Sequence, residues 1–318
     1  EHRKRVREAT EGDDDGGSYK GTVFRWSAAS GFAAVAGGFK KPAGLIVRRD
    51  GAILVAAERY HQDKTRLEGS LYRIDAQGGV AVLHADRLKT PWGVVADVLG
   101  GVFLAGERHD HRGKFPGLIA KLPDGAGATS FAWNMASPAG LALTPEGDLI
   151  AADAKAGVVV RFSAPGPPAV GVPSPSYTNR NPFDLPGSTV AGAQVVVLGG
   201  TEPATAASDA SGAFVATVPL HANQENRLSV YATGANGTGL TSAPSAALVV
   251  HDDIPPAIAV SQDPPPNGNG WNRTDVTVSF ACTDGGSGIA FCTPPQVVTA
   301  EVTGQVVAGV ATDRAGNS

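Results

Sequence analysis

The chain has 318 residues and a formal net charge of -4, with 26 Lys and Arg residues against 30 Asp and Glu residues. This near balance gives no basic field to attract nucleic acid or an anionic membrane, so neither is an expected partner. The 41 glycines and 23 prolines make up about a fifth of the residues, against an average of about 12%. Because they separate short runs of Val, Ala and Leu, the composition predicts an all-β fold with more than one domain.

The two ends of the sequence look internal to a longer protein. The chain begins at Glu1 without a Met or an apolar leader, and it stops at "DRAGNS". We therefore expect any signal peptide or anchor to lie outside this segment. Within it, no stretch has the run of about 20 apolar residues that a membrane-spanning helix requires.

The first half of the chain repeats with a period of about 48 residues. The segments "PAGLIV" at Pro42, "PWGVVA" at Pro91 and "PAGLAL" at Pro138 are spaced 49 and 47 residues apart. A second and a third apolar run, each opened by glycine, follow in every unit, and a fourth follows in most. Four short strands per unit, labelled A to D, predict β-propeller blades, because a small twisted sheet must stack on neighbours to bury both faces.

The pattern of these runs resembles the NHL and virginiamycin B lyase-like propeller repeats, over about residues 10–165. The resemblance implies a partial β-propeller of about 3.5 four-stranded blades, while closure usually takes about 4–8 blades. The last unit has strands A, B and C and then passes into "SAPGPP" without a D strand. We expect a strand upstream of Glu1 to complete that blade.

The second half predicts a linker followed by two β-sandwiches. A proline-rich stretch over 166–175 is typical of a stiff linker. Beyond it, "STVAGAQVVVLGG" and "GWNRTDVTVSFACTDGGSGIAFC" alternate apolar and polar residues between turn residues, which is a strand pattern. They resemble the immunoglobulin-like modules of secreted and surface bacterial proteins. The predicted domains are a partial propeller (1–165), the linker (166–175) and two immunoglobulin-like sandwiches (176–251 and 252–318).

Cys282 and Cys292 are the only cysteines and stand ten residues apart. Two thiols without a neighbouring His give too few ligands for a metal site, so we predict a local disulfide formed in an oxidising compartment. This favours an extracellular or cell-surface location. Nearby, Asp284, Asp313 and Asn317 suggest calcium ligands, but we interpret them as turn caps because their spacing is not that of a calcium loop.

Acidic residues recur at the end of strand B, and basic residues recur in strand C. The aligned acids are Glu11, Glu58, Glu107 and Asp153, and the aligned bases are Arg25, Arg73, Lys121 and Arg161. An acid and a base on adjacent strands stabilise a ladder by about 0.2–1 kcal/mol. We therefore predict that these residues pair across each B–C hairpin in a structural role.

The B–C loops vary where the strands do not. Three are long and charged, "GDDDGGSYK", "RYHQDKTRLE" and "RHDHRGKFP", and the fourth, "AKA", is short. Loops elongated on one face of a rigid scaffold are where binding function is usually added. The predicted ligand-binding candidates are Glu58, His61, Asp63, Glu107, His109, Asp110, His111 and Asp153.

We expect a non-catalytic extracellular binding or scaffold protein. The propeller face would recognise a protein or glycan, and the sandwiches would act as spacers, with no cofactor. The alternative is a metal-dependent propeller hydrolase or lyase, virginiamycin B lyase-like or lactonase-like, that holds calcium or magnesium with Glu58, Glu107 and Asp153. A third hypothesis places glycan adhesion in the sandwiches, against which Trp271 is predicted to be a core residue rather than an exposed platform.

Overall fold

The computed structural model describes residues 5–10, 20–60, 70–85, 88–108, 117–123, 129–234 and 239–318. The described residues form β-strands and turns without a helix, so the all-β prediction is confirmed for them. The chain divides into two compact units. The N-terminal unit comprises Glu1–Gly166 and Thr233–Ala243, and the C-terminal unit comprises Pro167–Ala232 and Pro244–Ser318.

Thirteen strands of the N-terminal unit are described. They are β1 (Arg5–Thr10), β2 (Gly21–Ser27), β3 (Gly31–Val47), β4 (Ile53–Tyr60), β5 (Ser70–Ile74), β6 (Val80–Ala85), β7 (Leu88–Ala96), β8 (Val102–Arg108), β9 (Gly117–Leu122), β10 (Thr129–Met135), β11 (Pro138–Leu143), β12 (Leu149–Asp153) and β13 (Val158–Phe162). They form antiparallel sheets in chain order: β1 to β6, β7 to β10, and β11 to β13.

These sheets follow the sequence repeat. Repeat 1 contains β1, β2 and the first half of β3, and repeat 2 contains the second half of β3 with β4 to β6. Their sheets merge because the 17-residue β3 runs without a break from strand D of repeat 1 into strand A of repeat 2. Repeat 3 is β7 to β10. Repeat 4 is β11 to β13, three described strands, as the missing D run predicts.

Each inner repeat buries both faces of its sheet. Successive side chains of a strand point to opposite faces, so Val55 packs towards repeat 1 while Leu54 and Ala56 pack towards repeat 3. In repeat 3, Phe103 and Ala105 likewise pack against strands of repeat 4. The continuous apolar runs of strand B are therefore explained by burial on two sides.

The glycine of the Pro-x-Gly segment lets adjacent A strands approach closely. A Cβ atom on Gly44 would lie 2.8 Å from the carbonyl oxygen of Trp92 and 3.2 Å from the amide nitrogen of Val94. A Cβ atom on Gly93 would collide with the carbonyl oxygen of Ala139. The motif is thus a packing requirement at two successive repeat boundaries.

A distant segment completes the core of the N-terminal unit. Leu240 is only 4% exposed and packs in the cluster of Phe103, Ile119 and Leu149. The amide of Ala243 donates to the carbonyl oxygen of Glu146 at 3.1 Å. Residues 239–243, which fall inside the predicted sandwich of 176–251, therefore belong structurally to the N-terminal unit.

The C-terminal unit contributes the remaining described strands. They are β14 (Ala169–Val170), β15 (Ser176–Thr178), β16 (Phe183–Ser188), β17 (Gln194–Leu198), β18 (Ala204–Ala207), β19 (Ala213–Val218), β20 (Glu225–Thr233), β21 (Ser245–His251), β22 (Ala257–Asp263), β23 (Val276–Thr283), β24 (Ile289–Cys292), β25 (Gln296–Val298) and β26 (Ala311–Asp313). The last residue of strand β20, Thr233, belongs to the N-terminal unit.

Two of its sheets, β14-β16-β19 and β15-β21-β20-β17-β18, pack around one core. Leu185 and Phe214 come from the first sheet, and Val195, Leu228 and Val249 come from the second. Two smaller sheets follow, β22-β23-β25 and β24-β26. The boundaries predicted at residues 165, 175 and 251 stay predictions.

The predicted disulfide is present between Cys282 and Cys292, whose Cα atoms are 5.9 Å apart. Cys282 lies in β23 and Cys292 in β24, strands that belong to the two different small sheets. The bond therefore joins two small sheets in whose strands few apolar side chains are buried, namely Val278 and Ala311.

Candidate functional site

The predicted ligand-binding residues fall into two groups. The strand-B carboxylates Glu58, Glu107 and Asp153 lie in described strands. The loop residues lie outside the described residues, and so does the aligned Glu11: they are His61, Asp63, His109, Asp110 and His111. The geometry of the candidate site is therefore built from the three carboxylates and their neighbours.

Glu58 is buried between two lysines of strand β3. Its side chain accepts a hydrogen bond from Lys40 Nζ at 2.8 Å through Oε1, and Lys41 Nζ lies 3.2 Å from Oε2. Burial raises the pKa of Glu58, but the hydrogen bonds and charges of the two lysines outweigh it and hold the pKa below its ordinary value. Lys41 precedes Pro42, so this carboxylate anchors the start of strand A.

Glu107 and Asp153 meet at a single connection, Ala136–Ser137, which joins strand D of repeat 3 to strand A of repeat 4. Ser137 donates its hydroxyl to Glu107 Oε1 at 3.1 Å and its amide to Asp153 Oδ1 at 2.8 Å. Asp153 also accepts from the amides of Ala136 at 2.6 Å and Ala156 at 3.1 Å. Burial raises the pKa of Asp153, and these amides lower it further than burial raises it.

The alignment that put Asp153 in register with Glu58 and Glu107 is wrong by one residue. Asp153 pairs with Val158, the residue after the glycine that opens strand C. In repeat 3 the same position is occupied by Gly106, which pairs with Leu118, and Glu107 lies one residue further along. Since side chains alternate, Asp153 points to the opposite face of its sheet. That offset is why two carboxylates from neighbouring repeats reach the same connection.

The predicted pairing of strand-B acids with strand-C bases is also wrong. Arg73 is the cross-strand partner of Leu54, four residues from Glu58, or about 13 Å along the strand. The strand-C bases pair instead with acids of the A–B turn at the other end of each sheet. The pairs are Arg73 with Asp50 at 3.3 Å, Lys121 with Asp97 at 3.4 Å, and Arg161 Nε with Asp148 at 2.6 Å.

Lys121 is the most buried of these bases, with 2% of its side chain exposed, and Asp97 is 5% exposed. Asp97 Oδ2 also accepts a hydrogen bond from Thr241 Oγ1 at 2.9 Å, and Lys121 Nζ donates to the carbonyl oxygen of Gly239. Desolvation lowers the pKa of Lys121, against the attraction of Asp97. The ion pair of Lys121 and Asp97 therefore holds residues 239–243 in place, and no local sequence pattern predicts this contact.

A second carboxylate group lies in the C-terminal unit. Asp252, Asp284 and Asp313 place one oxygen each within 4.8 Å of one another. Each is an acceptor for turn amides: Ser287 N reaches Asp252 at 2.6 Å, Gly288 N reaches Asp284 at 2.6 Å, and Gly316 N reaches Asp313 at 2.7 Å. These bonds match the turn-cap interpretation of Asp284 and Asp313.

Sequence reasoning missed Asp252 and misjudged Asn317. Asp252 follows strand β21, far from the other two acids in the chain, and is fully buried. Asn317 donates its amide to Asp313 Oδ2 at 2.7 Å and to the carbonyl oxygen of Asp252 at 2.8 Å, so it contributes a donor rather than a ligand oxygen. In the described part of the chain, these three acids are the one group spaced to share a hard cation such as calcium.

No protein-family model and no curated protein matches the chain. Among solved structures, one named as a gluconolactonase is similar, with 11% identity and a TM-score of 0.30 over 72% of this chain and 69% of that one. Another is an α-L-arabinofuranosidase from Fusarium graminearum in complex with an iminosugar inhibitor, with 11% identity and a TM-score of 0.27 over 77% of this chain and 91% of that one. Neither similarity identifies a family for this chain. Among the described residues, none forms a helix with the length and apolar character that a membrane crossing requires.

Proposed function

We propose that repeats 1 to 4 are blades of a partial β-propeller and that the protein is a non-catalytic extracellular binding or scaffold protein. In this proposal the B–C loops recognise a protein or glycan ligand. The sandwich-like C-terminal unit holds the propeller away from its point of attachment. The proposal rests on the hydrogen bonds by which Glu107 and Asp153 hold the Ala136–Ser137 connection.

The strand-B carboxylates have the environment of structural groups. A metal ligand or a general base needs a carboxylate oxygen that can turn to an ion or a substrate. Asp153 accepts hydrogen bonds from three backbone amides, and the negative charge of Glu58 is balanced by two lysines. Such bonds favour the ionised form and restrict the side chain, which suits a rigid platform beneath variable loops.

The disulfide supports an extracellular or cell-surface location. Disulfides persist in oxidising compartments and are uncommon in the reducing cytosol. The bond between Cys282 and Cys292 joins two small sheets whose strands bury few apolar side chains. A spacer module exposed outside the cell gains most from such a cross-link.

Loop exchange tests the proposal. Repeat 4 offers a natural short loop, Ala154–Ala156, which replaces residues 61–69 in one variant and 109–116 in another. The intact chain and both variants are probed on arrays of immobilised polysaccharides and secreted proteins. We expect the intact chain to bind a ligand that at least one variant loses, with the thermal unfolding midpoint kept. Binding that survives both exchanges would refute the role of the loops.

A deletion used as a control must leave the N-terminal unit complete. Removing all residues after 170 also removes Leu240 and Thr241, which belong to the core and polar network of the N-terminal unit. Substitutions in the C-terminal unit are the better control. Val215, on strand β19, is 58% exposed, so Val215→Arg leaves the fold intact and is expected to leave binding unchanged.

Glycan adhesion by the C-terminal unit is a second candidate, favoured by one observation. Trp271 is 55% exposed, so its prediction as a core residue is wrong. It closes a turn in which its amide donates to Asn267 Oδ1 at 3.1 Å. An exposed indole is a surface on which a sugar ring can stack. Trp271→Ala would abolish polysaccharide binding if this candidate is right and leave it unchanged if the loops bind.

A further inference from the structure

One residue of strand A departs from the sequence repeat. The middle residue of the Pro-x-Gly segment is Ala43 in repeat 2 and Ala139 in repeat 4, but it is Trp92 in repeat 3. Trp92 is 46% exposed. Repeats 2 and 4 pack on the two sides of repeat 3, so this exposure does not depend on where the segment begins or ends. A side chain that only stabilises the scaffold should follow the repeat and be buried, and Trp92 does neither.

A β-bulge takes Trp92 out of the regular alternation of the strand. Ala105 and Gly106 are adjacent in β8, but their partners in β7, Gly93 and Pro91, enclose Trp92 as an extra residue. A bulge re-aims the side chain that it contains, and bulges are frequent beside functional sites. The same bulge recurs at the middle residue of the Pro-x-Gly segments in repeats 2 and 4. The scaffold thus presents one side chain per repeat at this point, and in repeat 3 that side chain is an indole.

Trp92 lies where neighbouring repeats come closest together. A Cβ atom on Gly44 would lie 2.8 Å from the carbonyl oxygen of Trp92, and one on Gly93 would collide with the carbonyl oxygen of Ala139. The A strands of three successive repeats therefore converge, which is the arrangement of strands around the central channel of a propeller. Ala43 and Ala139, the equivalent residues on either side, are small and leave room for a ligand over the indole.

A carboxylate with free hydrogen-bonding capacity lies next to this indole. Glu107 is the cross-strand partner of Thr90, two residues before Trp92, and such diagonal neighbours have Cα atoms about 7–8 Å apart. The Oε1 atom of Glu107 accepts the hydrogen bond from Ser137. Among the described residues no donor reaches its Oε2 atom, and the side chain is only half-buried. Glu107 can therefore hold the connection with one oxygen and accept from a ligand with the other.

Lys41 supplies a cationic donor at the same end of strand A in repeat 2. It lies three residues, at most about 10 Å, before Gly44, whose backbone approaches that of Trp92. Its side chain is 51% exposed, and its Nζ atom lies 3.2 Å from Glu58 Oε2, which leaves other N–H groups for a ligand. The φ angle of Lys41 is 44°, in the left-handed region. Residues held there against their preference cluster at binding and active sites.

This combination fits a sugar ring better than the other ligands of an indole. The C–H face of the ring stacks on the indole, while its hydroxyls donate to a carboxylate and accept from an ammonium group. A quaternary ammonium ligand needs a cage of several aromatics, and the equivalent residues of repeats 2 and 4 are alanines. An aromatic hot spot for a protein partner lies in a well-packed pocket, whereas charged groups accompany Trp92.

We propose that Trp92 is the stacking platform of a carbohydrate-binding site, with Glu107 and Lys41 as hydrogen-bonding partners for the hydroxyls of the sugar. This assignment depends on the binding function proposed above and narrows its ligand from a protein or glycan to a carbohydrate. It also adds a contact from strand A to those of the B–C loops.

Affinity electrophoresis of the full 318-residue chain tests the site, in gels that contain xylan, mannan, β-glucan or polygalacturonate. We expect at least one of these polysaccharides to retard the wild-type chain. Trp92→Ala should weaken that binding at least about tenfold and leave the unfolding midpoint unchanged, because the indole is exposed. Trp92→Phe keeps a stacking ring and should bind better than Trp92→Ala. Trp271→Ala removes a similarly exposed indole from the C-terminal unit and, as the matched control, should bind like wild type.

A wild-type chain that none of the four polysaccharides retards overturns the carbohydrate assignment, and so does a Trp92→Ala variant that binds like wild type. Loss of binding in Trp271→Ala alone would place the glycan site in the C-terminal unit and overturn it as well. The loop-exchange variants separate this site from the function proposed above. Binding that is lost in Trp92→Ala but kept in both loop exchanges supports the Trp92 site and refutes the role of the loops, and the reverse pattern supports the loops and refutes the Trp92 site.

Discussion

The hydroxyl of Ser137 donates a hydrogen bond to Oε1 of Glu107 across the boundary between repeats 3 and 4, at 3.1 Å. The same serine uses its amide to reach Asp153. One short connection is thus held from both sides by acids of adjacent repeats. The sequence alone left these acids either a structural role or, in the alternative, a metal site, and the contacts described above are those of groups that hold a connection between two repeats.

Ser137→Ala should lower the free energy of unfolding of the N-terminal unit by about 1–2 kcal/mol, because it removes a hydrogen bond to a charged acceptor. Urea unfolding measures the change. Ser163→Ala, at an exposed position, is the control and should change stability by less than about 0.5 kcal/mol. A double-mutant cycle with Glu107→Ala should show coupling, and additive effects would mean that the 3.1 Å contact contributes nothing.

Glu58 should make the stability of the N-terminal unit depend on pH in the acid range. Its pKa is below the ordinary value in the folded chain, so its ionised form favours folding above the unfolded pKa of about 4. That contribution is lost as the pH falls through the folded pKa. Unfolding followed from pH 7 to pH 3 should therefore show a shallower acid loss for Glu58→Gln than for wild type.

Glu202→Gln removes one carboxylate from an exposed position and controls for the change in net charge. If Glu58→Gln and wild type lose stability in parallel on acidification, the two lysine contacts do not stabilise the ionised form. Lys40→Met provides the reciprocal test, because it leaves Glu58 buried with one fewer cation and should raise its pKa.

Leu240→Ala should destabilise the N-terminal unit by about 2–4 kcal/mol, since Leu240 fills a cavity among Phe103, Ile119 and Leu149. Leu240→Met keeps the volume and should cost less than about 1.5 kcal/mol. Hydrogen exchange of the β8 and β9 amides, compared in the two variants, locates the effect. Exchange that is unchanged in these strands for Leu240→Ala would show that the 239–243 segment is not part of their core.

The sequence was sufficient to predict the strands because their determinants are local. The Pro-x-Gly segments and glycine-opened runs set the strand ends, and the absence of a D run in repeat 4 appears as a three-stranded sheet. Cys282 and Cys292 were close enough in the chain to pair on spacing alone. The all-β character and the disulfide are therefore the confirmed parts of the prediction.

The contacts of the candidate site were not predictable in the same way. Strand β12 of repeat 4 has one residue fewer before Asp153 than strand β8 of repeat 3 has before Glu107. Because side chains alternate along a strand, this difference places Asp153 on the opposite face of its sheet from the one that Glu107 occupies in repeat 3. Thr241 lies 144 positions from its partner Asp97, and Asn317 lies 65 positions from its partner Asp252. Such long-range contacts depend on the packing of the whole chain, and the sequence repeat does not predict them.

The most direct test of the non-catalytic account is a paired measurement on Glu107→Gln. Stability is followed by urea unfolding, and turnover of a chromogenic lactone is followed with calcium or magnesium present. The account predicts a loss of about 1 kcal/mol in unfolding free energy, from weakening a charge-assisted hydrogen bond, with no lactone turnover by either protein. Metal-dependent turnover by the wild-type chain that Glu107→Gln abolishes at unchanged stability would contradict it.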